Sequence, residues 1–507
     1  MGENCYALFR SRFPADLSAS FIELESGKRY SFADLEAASG RFARLLATLG
    51  VEPGDRVAVQ VEKSPEAIFL YAACLRAGAI FLPMNTAYQK GEVDYILGDA
   101  EPTLFVCRPQ AEAVAREIAA ARKVPHVLTL GQAGEGSLIE RSKDLEPRVD
   151  IHPTAADDIA CILYTSGTTG RPKGAMLSHH NLASNTRALH QVWQFQPGDV
   201  LLHALPLFHA HGLFVATNLC LYNPSRMIFL PRFDADAVIR LLPKATVFMG
   251  VPTFYVRLLA DDRFTRALCQ HVRLFVAGSA PLLEETFNCF RDRTGKAIVE
   301  RYGMTETVMN TSNPIGGETP GSCGKPLPAV EVRVTDQGGR PLAANEVGVI
   351  EVRGPNVFKG YWRNPEKTRE EFRADGFFIT GDMGKIDENG YVWIVGRAKD
   401  LIISGGYNVY PKEVENYIDR IDGVAESAVF GVPHPDFGEG VAAAVKRAAG
   451  RSDLTEDGII ARLKGELAHY KVPKKLYFLD ELPRNTMGKV QKNLLRDRYK
   501  DSFAARH

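Results

Sequence analysis

Between residues 28 and 107 the apolar positions alternate between a helical and a strand period. Ser31-Phe32-Ala33-Asp34 has the form of a capping box, and Leu35, Leu45, Leu46 and Leu49 follow at helical spacing. Arg56-Val57-Ala58-Val59-Gln60-Val61 reads as a strand, and Ser64-Pro65-Glu66 starts a helix with Pro at its first position. Ala79-Ile80-Phe81-Leu82 is strand again, 92–97 helix, and Thr103-Leu104-Phe105-Val106 strand. This βαβα rhythm predicts an open α/β layer with a largely parallel sheet. Residues 108–155 are polar, keep no steady period and carry no functional signal. Apolar runs at 159–163, 200–206, 247–251 and 274–278 then read as buried strands, and Ser178-His179-His180-Asn181 caps a helix. Beyond residue 307 the texture changes to short alternating segments with Gly, Asn and Asp turns. Residues 330–335, 348–353 and 390–395 read as antiparallel strands, and Asp387-Glu388-Asn389-Gly390 as a hairpin turn. A charged break, Gly396-Arg397-Ala398-Lys399-Asp400, precedes a last segment with its own helix and strand alternation. The expected division is a large domain over 1–398, of mixed α/β layers plus a small antiparallel β part, and a small α+β domain over 399–507.

A chain of 507 residues exceeds one ordinary core, which supports two domains. Lys+Arg and Asp+Glu are equal at 61 each, so neither a nucleic-acid footprint nor a polybasic membrane patch is indicated. The eight cysteines are scattered without a C-x-x-C pair, several in apolar runs, as expected of buried free thiols in a reducing compartment. No apolar run approaches the roughly 20 residues of a membrane span. No signal-peptide pattern opens the chain, and the expected location is the cytoplasm.

The richest chemistry lies at 164–174, Tyr164-Thr165-Ser166-Gly167-Thr168-Thr169-Gly170-Arg171-Pro172-Lys173-Gly174. Hydroxyls, glycines and cations follow a strand with no acid among them. Such a loop suits a polyphosphate, because glycine admits close backbone approach and amides and hydroxyls donate to phosphate oxygens. Composition alone leaves a polar surface loop equally open, and the spacing is not that of a Walker A motif. His209 and His211 lie at the end of a strand, where ligands of α/β sheets bind; without a further ligand cluster they read as pocket histidines rather than metal ligands. Residues 298–307 place an acid, a base, an aromatic and hydroxyls after another strand.

Taken in order, seven motifs give the chain a family likeness. They are 164–174, Gly278-Ser279-Ala280-Pro281, Tyr302-Gly303-Met304-Thr305-Glu306, Thr380-Gly381-Asp382, Gly396-Arg397-Ala398-Lys399-Asp400, 404–411 and 483–489. From Ser31 to Arg496 the chain resembles the adenylate-forming superfamily of acyl-CoA synthetases, peptide-synthetase adenylation domains and luciferases. Within it the chain is most similar to the malonyl-CoA synthetases, on 205–214, 300–303 and 309–314.

The resemblance implies ATP, Mg²⁺ and coenzyme A, and two steps: a carboxylate attacks the α-phosphate of ATP, then the CoA thiol displaces AMP. It implies that Thr165, Ser166, Gly167, Thr168, Thr169, Gly170 and Lys173 wrap the phosphates. Glu306 becomes the Mg²⁺-associated carboxylate with Thr165, and Thr305 a phosphate contact. Gly278, Ser279, Ala280, Glu300, Arg301 and Tyr302 would frame the adenine; Asp382 and Arg397 would hold the ribose. Lys489 is implied as the adenylation lysine, Lys399 as the hinge of a mobile C-terminal domain, and Gly405 and Gly406 as the passage for pantetheine.

For the acid, Arg301 stands where many superfamily members carry Gly. A guanidinium grips a second carboxylate bidentately and has no use in a fatty-acid tunnel. Malonate is therefore the first expected substrate and methylmalonate the second, with His209, Ala210, Arg301 and Met309 at the acyl group. Ala210 replaces a Thr common in the malonyl-CoA synthetases, and Val308 an Asn, which leaves room for a C2 substituent. The alternatives are a short- or medium-chain monocarboxylate ligase with a structural Arg301, or a stand-alone enzyme loading a carrier protein. The expected partners are small molecules, with no nucleic acid and no membrane, and the expected state is a monomer or weak homodimer.

Overall fold

A computed structural model describes residues 3–165, 172–404, 407–485 and 488–503. The chain divides into two compact units: residues 1–320, 324–331 and 352–378 form the first, and 321–323, 332–351 and 379–507 the second.

The first unit holds two sheets. Six strands run in the order His126–Thr129, Leu104–Cys107, Arg56–Gln60, Ile80–Pro83, Ile159–Thr165, Lys173–Ser178. All neighbours are parallel except the last two, which form an antiparallel hairpin. Nine strands make the second sheet: Lys325–Pro326, Thr311–Ser312, Ile298–Tyr302, Leu274–Ala277, Val247–Gly250, Val200–His203, Arg226–Phe229, Ser20–Leu24 and Arg29–Ser31. The six from Ile298–Tyr302 to Ser20–Leu24 are parallel. Their continuous apolar runs reflect burial on both faces, as parallel strands require. Helix Pro65–Ala77 is buried along its whole length, so its apolar character goes all round. Ser31 and Ser178 cap their helices with full capping boxes, and Ser64 caps a helix with Pro65 in its first turn. The expected strand at 200–206 ends at His203, just before the proline-containing turn.

In the second unit a four-stranded sheet, complete but for a few strand-end residues, has the order Glu331–Thr335, Gly348–Arg353, Phe378–Ile386, Val392–Arg397. The expected turn is present, with the Gly390 N–H donating to the Asp387 carbonyl at 3.0 Å. The strand leading into it, Phe378–Ile386, was not visible in the hydropathy pattern. A five-stranded sheet follows, built on the long pair Val424–His434 and Gly438–Arg447. Helices Pro411–Asp419 and Glu456–Glu466 close its core of Val414, Ile418, Val429, Val441, Val445 and Leu463. The fold is mixed α/β, and no helix among the described residues is long and apolar enough to cross a membrane.

Candidate active site

Thr165 and Lys173 face each other as the last paired residues of the hairpin Ile159–Thr165/Lys173–Ser178. The segment they frame, with Ser166, Gly167, Thr168, Thr169 and Gly170, lies outside the described residues. Lys173 Nζ lies 3.2 Å from Glu371 Oε1 and 4.1 Å from the centre of the Tyr361 ring. The Tyr361 hydroxyl is 3.0 Å from Glu306 Oε1 and 2.6 Å from Glu371 Oε2. One phenolic proton therefore serves two carboxylates, with Lys173 supplying positive charge beside them. Burial, reinforced by those carboxylates, pushes the phenol far above its ordinary pKa, so it stays a donor. Glu306 is buried and Thr305 partly exposed, on the turn that follows strand Ile298–Tyr302.

A Mg²⁺ that arrives with ATP keeps phosphate oxygens and waters as ligands and asks only one or two carboxylates of the protein. Glu306, oriented by Tyr361 near the hairpin's cation, fits that demand. Among the described residues no group of three or more His, Cys, Asp or Glu forms a cage that would hold a metal on its own.

A second cluster gathers where parallel strands end, the usual ligand side of such sheets. Arg301, 3% exposed, lies on Ile298–Tyr302 beside the loop that leaves Leu274–Ala277. Gly278 in that loop gives the Arg301 guanidinium its room, because a Cβ there would lie 2.4 Å from the guanidinium carbon and push the side chain aside. Ser279 holds a left-handed φ of 72°, a strained backbone for a non-glycine residue, and its Oγ is 3.5 Å from the guanidinium. The partner loop leaves Val200–His203 and runs through His209 and Ala210 into the π-helical turn His211–Thr217.

The His211 N–H donates to His209 Nδ1 at 3.2 Å, which leaves the ring proton of neutral His209 on Nε2. Desolvation first, then Arg301, lower its pKa to about 4, so at neutral pH it offers one donor and no charge. His211 is fully buried, also held neutral by burial and Arg301, with Nδ1 3.4 Å from Ser279 Oγ. Ala210 is buried at the start of the π-helical turn. Met309 is buried nearby in sequence to Tyr302, and its carbonyl accepts from Asn185 and Asn356 at 2.8 and 2.9 Å. Glu300 sends its carboxylate the other way along the strand alternation, accepting the Leu282 N–H at 3.2 Å. Ala280 belongs to the loop of Gly278 and Ser279.

The second unit carries the remaining candidates. Asp382 and Arg397 are register partners on adjacent strands and form an ion pair. Asp382 is 3% exposed, not the solvated turn acid that an isolated Thr-Gly-Asp suggests. A carboxylate is acceptor-only, the chemistry that a diol requires. Lys489 sits on a turn in which the Lys489 N–H donates to Asn485 Oδ1 and the Asn485 N–H to the Lys489 carbonyl, both at 2.9 Å. Arg484 donates to the Gly488 carbonyl at 2.5 Å and also pairs with Glu426. Although Lys489 is exposed as a residue, burial of its ammonium and then the Arg397 charge lower its pKa to about 8; Asp382 and Lys399 act on it as well. Lys399 lies in a short 3₁₀ turn, Ala398–Asp400. Gly405 and Gly406 lie outside the described residues.

Tyr361 and Glu371 went unrecognised in the sequence. Their only signal was a polar, aromatic cluster, Tyr361-Trp362, followed by a helix of mixed charge, which reads as surface.

The chain is similar to several known proteins. It shares 54% identity and a TM-score of 0.97 with an ATP-bound MatB from Rhodopseudomonas palustris, over 99% of this chain and 100% of that one. It is 38% identical to a feruloyl-CoA synthase from an Amycolatopsis species, over 93% of this chain and 94% of the relative. A malonate–CoA ligase from Arabidopsis thaliana is 33% identical over 93% and 84%. The AMP-binding enzyme profile matches residues 11–362 and that of its C-terminal domain residues 413–489. The chain thus belongs to the AMP-binding enzyme family, within the adenylate-forming superfamily that its motif order resembles.

Proposed function

We propose that the protein is an AMP-forming acyl-CoA ligase that activates malonate, and methylmalonate as a second substrate, with ATP and transfers the acyl group to coenzyme A. The observation that carries this reading is the buried guanidinium of Arg301 beside a neutral His209 whose ring proton is fixed on Nε2. A cation and a neutral donor together suit a carboxylate that is not the one reacting. An acid whose far end is a plain alkyl or aromatic group offers that guanidinium no carboxylate. The relatives named for malonate favour the same acid, while the feruloyl-CoA synthase keeps an aromatic acid as the competing substrate.

In this reading the carboxylate of one end attacks the α-phosphate while Arg301 and His209 hold the other end. Lys173, Thr165 and the loop they frame, with Thr305, keep the leaving pyrophosphate. Glu306 and Thr165 would hold Mg²⁺, which would neutralise phosphate charge when bound. Tyr361 keeps the Glu306 carboxylate oriented. Gly278, Ser279, Ala280, Glu300 and Tyr302 frame the adenine; Asp382 and Arg397 take the ribose, and Lys489 neutralises charge in adenylation. Gly405 and Gly406 pass pantetheine, Ala210 and Met309 border the acyl group, and Lys399 is the hinge between functional domains 1–398 and 399–507. The buried free cysteines favour a reducing compartment, and we place the enzyme in the cytoplasm, as a monomer or weak homodimer.

The test is stoichiometry. With malonate, ATP and CoA, AMP, pyrophosphate and lost thiol should appear one for one. Pyrophosphate release without thiol loss would assign the protein to carrier loading instead.

A further inference from the structure

Lys63 follows strand Arg56–Gln60 and precedes helix Pro65–Ala77, and its side chain is buried at 8% exposure. Its ammonium finds no carboxylate among the described residues. Nζ instead lies 2.8 Å from the His203 carbonyl, 3.0 Å from His203 Nδ1 and 4.3 Å from the centre of the Phe229 ring. Burial lowers the Lys63 pKa well below the ordinary lysine range, and an amine kept among a carbonyl, a ring nitrogen and an aromatic face at that cost persists where it holds something in place.

What it holds follows from donor and acceptor chemistry. His203 Nε2 is 3.0 Å from the Gly212 carbonyl and 3.2 Å from Thr217 Oγ1. A carbonyl can only accept, and the Thr217 hydroxyl already donates to that same oxygen at 2.9 Å. Nε2 must therefore carry the ring proton, and Nδ1 must accept, for which Lys63 is the donor among the described residues. Burial keeps the His203 ring neutral, as this pattern requires. The chain of bonds runs from Lys63 through one fixed tautomer of His203 to Gly212, the residue after His211. The Gly212 backbone passes close to Pro206 and leaves no room for a side chain, since a Cβ there would lie 1.9 Å from the Pro206 carbonyl oxygen.

We propose that Lys63 is a positioning residue for acid recognition: through His203 it fixes residues 209–212 so that His209 and His211 face Arg301. The proposal rests on the reading of the Arg301 pocket as the site of the distal carboxylate.

The test compares Lys63→Met, His203→Phe and His203→Gln in the full-length enzyme, with malonate and ATP varied separately. Glutamine can still accept from Lys63 through its oxygen and donate to Gly212 through its amide; phenylalanine can do neither. Lys63→Met and His203→Phe should each raise KM for malonate about tenfold with KM for ATP unchanged, and His203→Gln should stay close to the native value. Parallel rises in both KM values, an unchanged KM for malonate in Lys63→Met, or a His203→Gln enzyme as impaired as His203→Phe would overturn it. Arg301→Ala separates the two readings. If it leaves KM for malonate unchanged the pocket assignment falls; if it raises KM while Lys63→Met is silent, only the present proposal falls.

Discussion

Arg301 carries most of the substrate argument, and its meaning changes with its surroundings. In the sequence it was an unusual cation in a family motif, with a purely structural role as the alternative. The structure buries it beside Gly278 and among the neutral rings of His209 and His211. Arg301→Ala should lower kcat/KM for malonate by about 10²–10⁴, the equivalent of roughly 3–5 kcal/mol for a buried charge left without its partner, with KM for ATP little changed. Steady-state kinetics with each substrate varied checks this, and an unchanged kcat/KM would remove Arg301 from the acid site. Lys63 shows the opposite case. Between Glu62 and Ser64 it looks like any solvated lysine, and no hydropathy or motif signal marks a cation that folds inward against His203.

The parallel strands were readable because burial on both faces leaves long apolar runs. The strands at 56–60, 80–83, 104–107, 159–165, 200–203, 247–250 and 274–277 follow that signal, whereas His126–Thr129, Arg226–Phe229 and Ser20–Leu24 were not expected from it. Phe378–Ile386 was not readable: two glycines, a threonine and an aspartate interrupt its alternation, and pairing with Val392–Arg397 decides its conformation. The loop–π-helix element at 209–217 was equally hidden, because i→i+5 bonding has no sequence period of its own. Its tight approach to Pro206 gives a prediction. Gly212→Ala should cost about 1–3 kcal/mol of stability, as overpacked sites do, measured by chemical denaturation. It should also raise KM for malonate; native stability would show that the backbone yields there. Val308 adds a local clue, since its φ of 55° is left-handed, a conformation asparagine tolerates better than a β-branched residue.

Across the molecule, the candidate residues fall into two sets. The hairpin, Glu306, His209 and Arg301 belong to the first compact unit; Asp382, Arg397, Lys399 and Lys489 belong to the second. The sequence located each motif but not this grouping, because Asp382 and Arg397 are joined by sheet pairing rather than by neighbouring position in the chain. Half-reactions separate the roles. Lys489→Ala should abolish adenylation while sparing thioester formation from supplied malonyl-adenylate. Lys399→Pro, which fixes φ at the proposed hinge, should impair thioester formation more than adenylation. Equal loss of both half-reactions in either variant would contradict its assignment. The most direct measurement is pyrophosphate release by the unmodified enzyme across malonate, methylmalonate, acetate, hexanoate and ferulate, with and without CoA. Malonate should give the highest kcat/KM, followed by methylmalonate, with the monocarboxylates at least about a hundredfold lower, as loss of a buried charge partner implies. A preference for ferulate or hexanoate would contradict the dicarboxylate pocket.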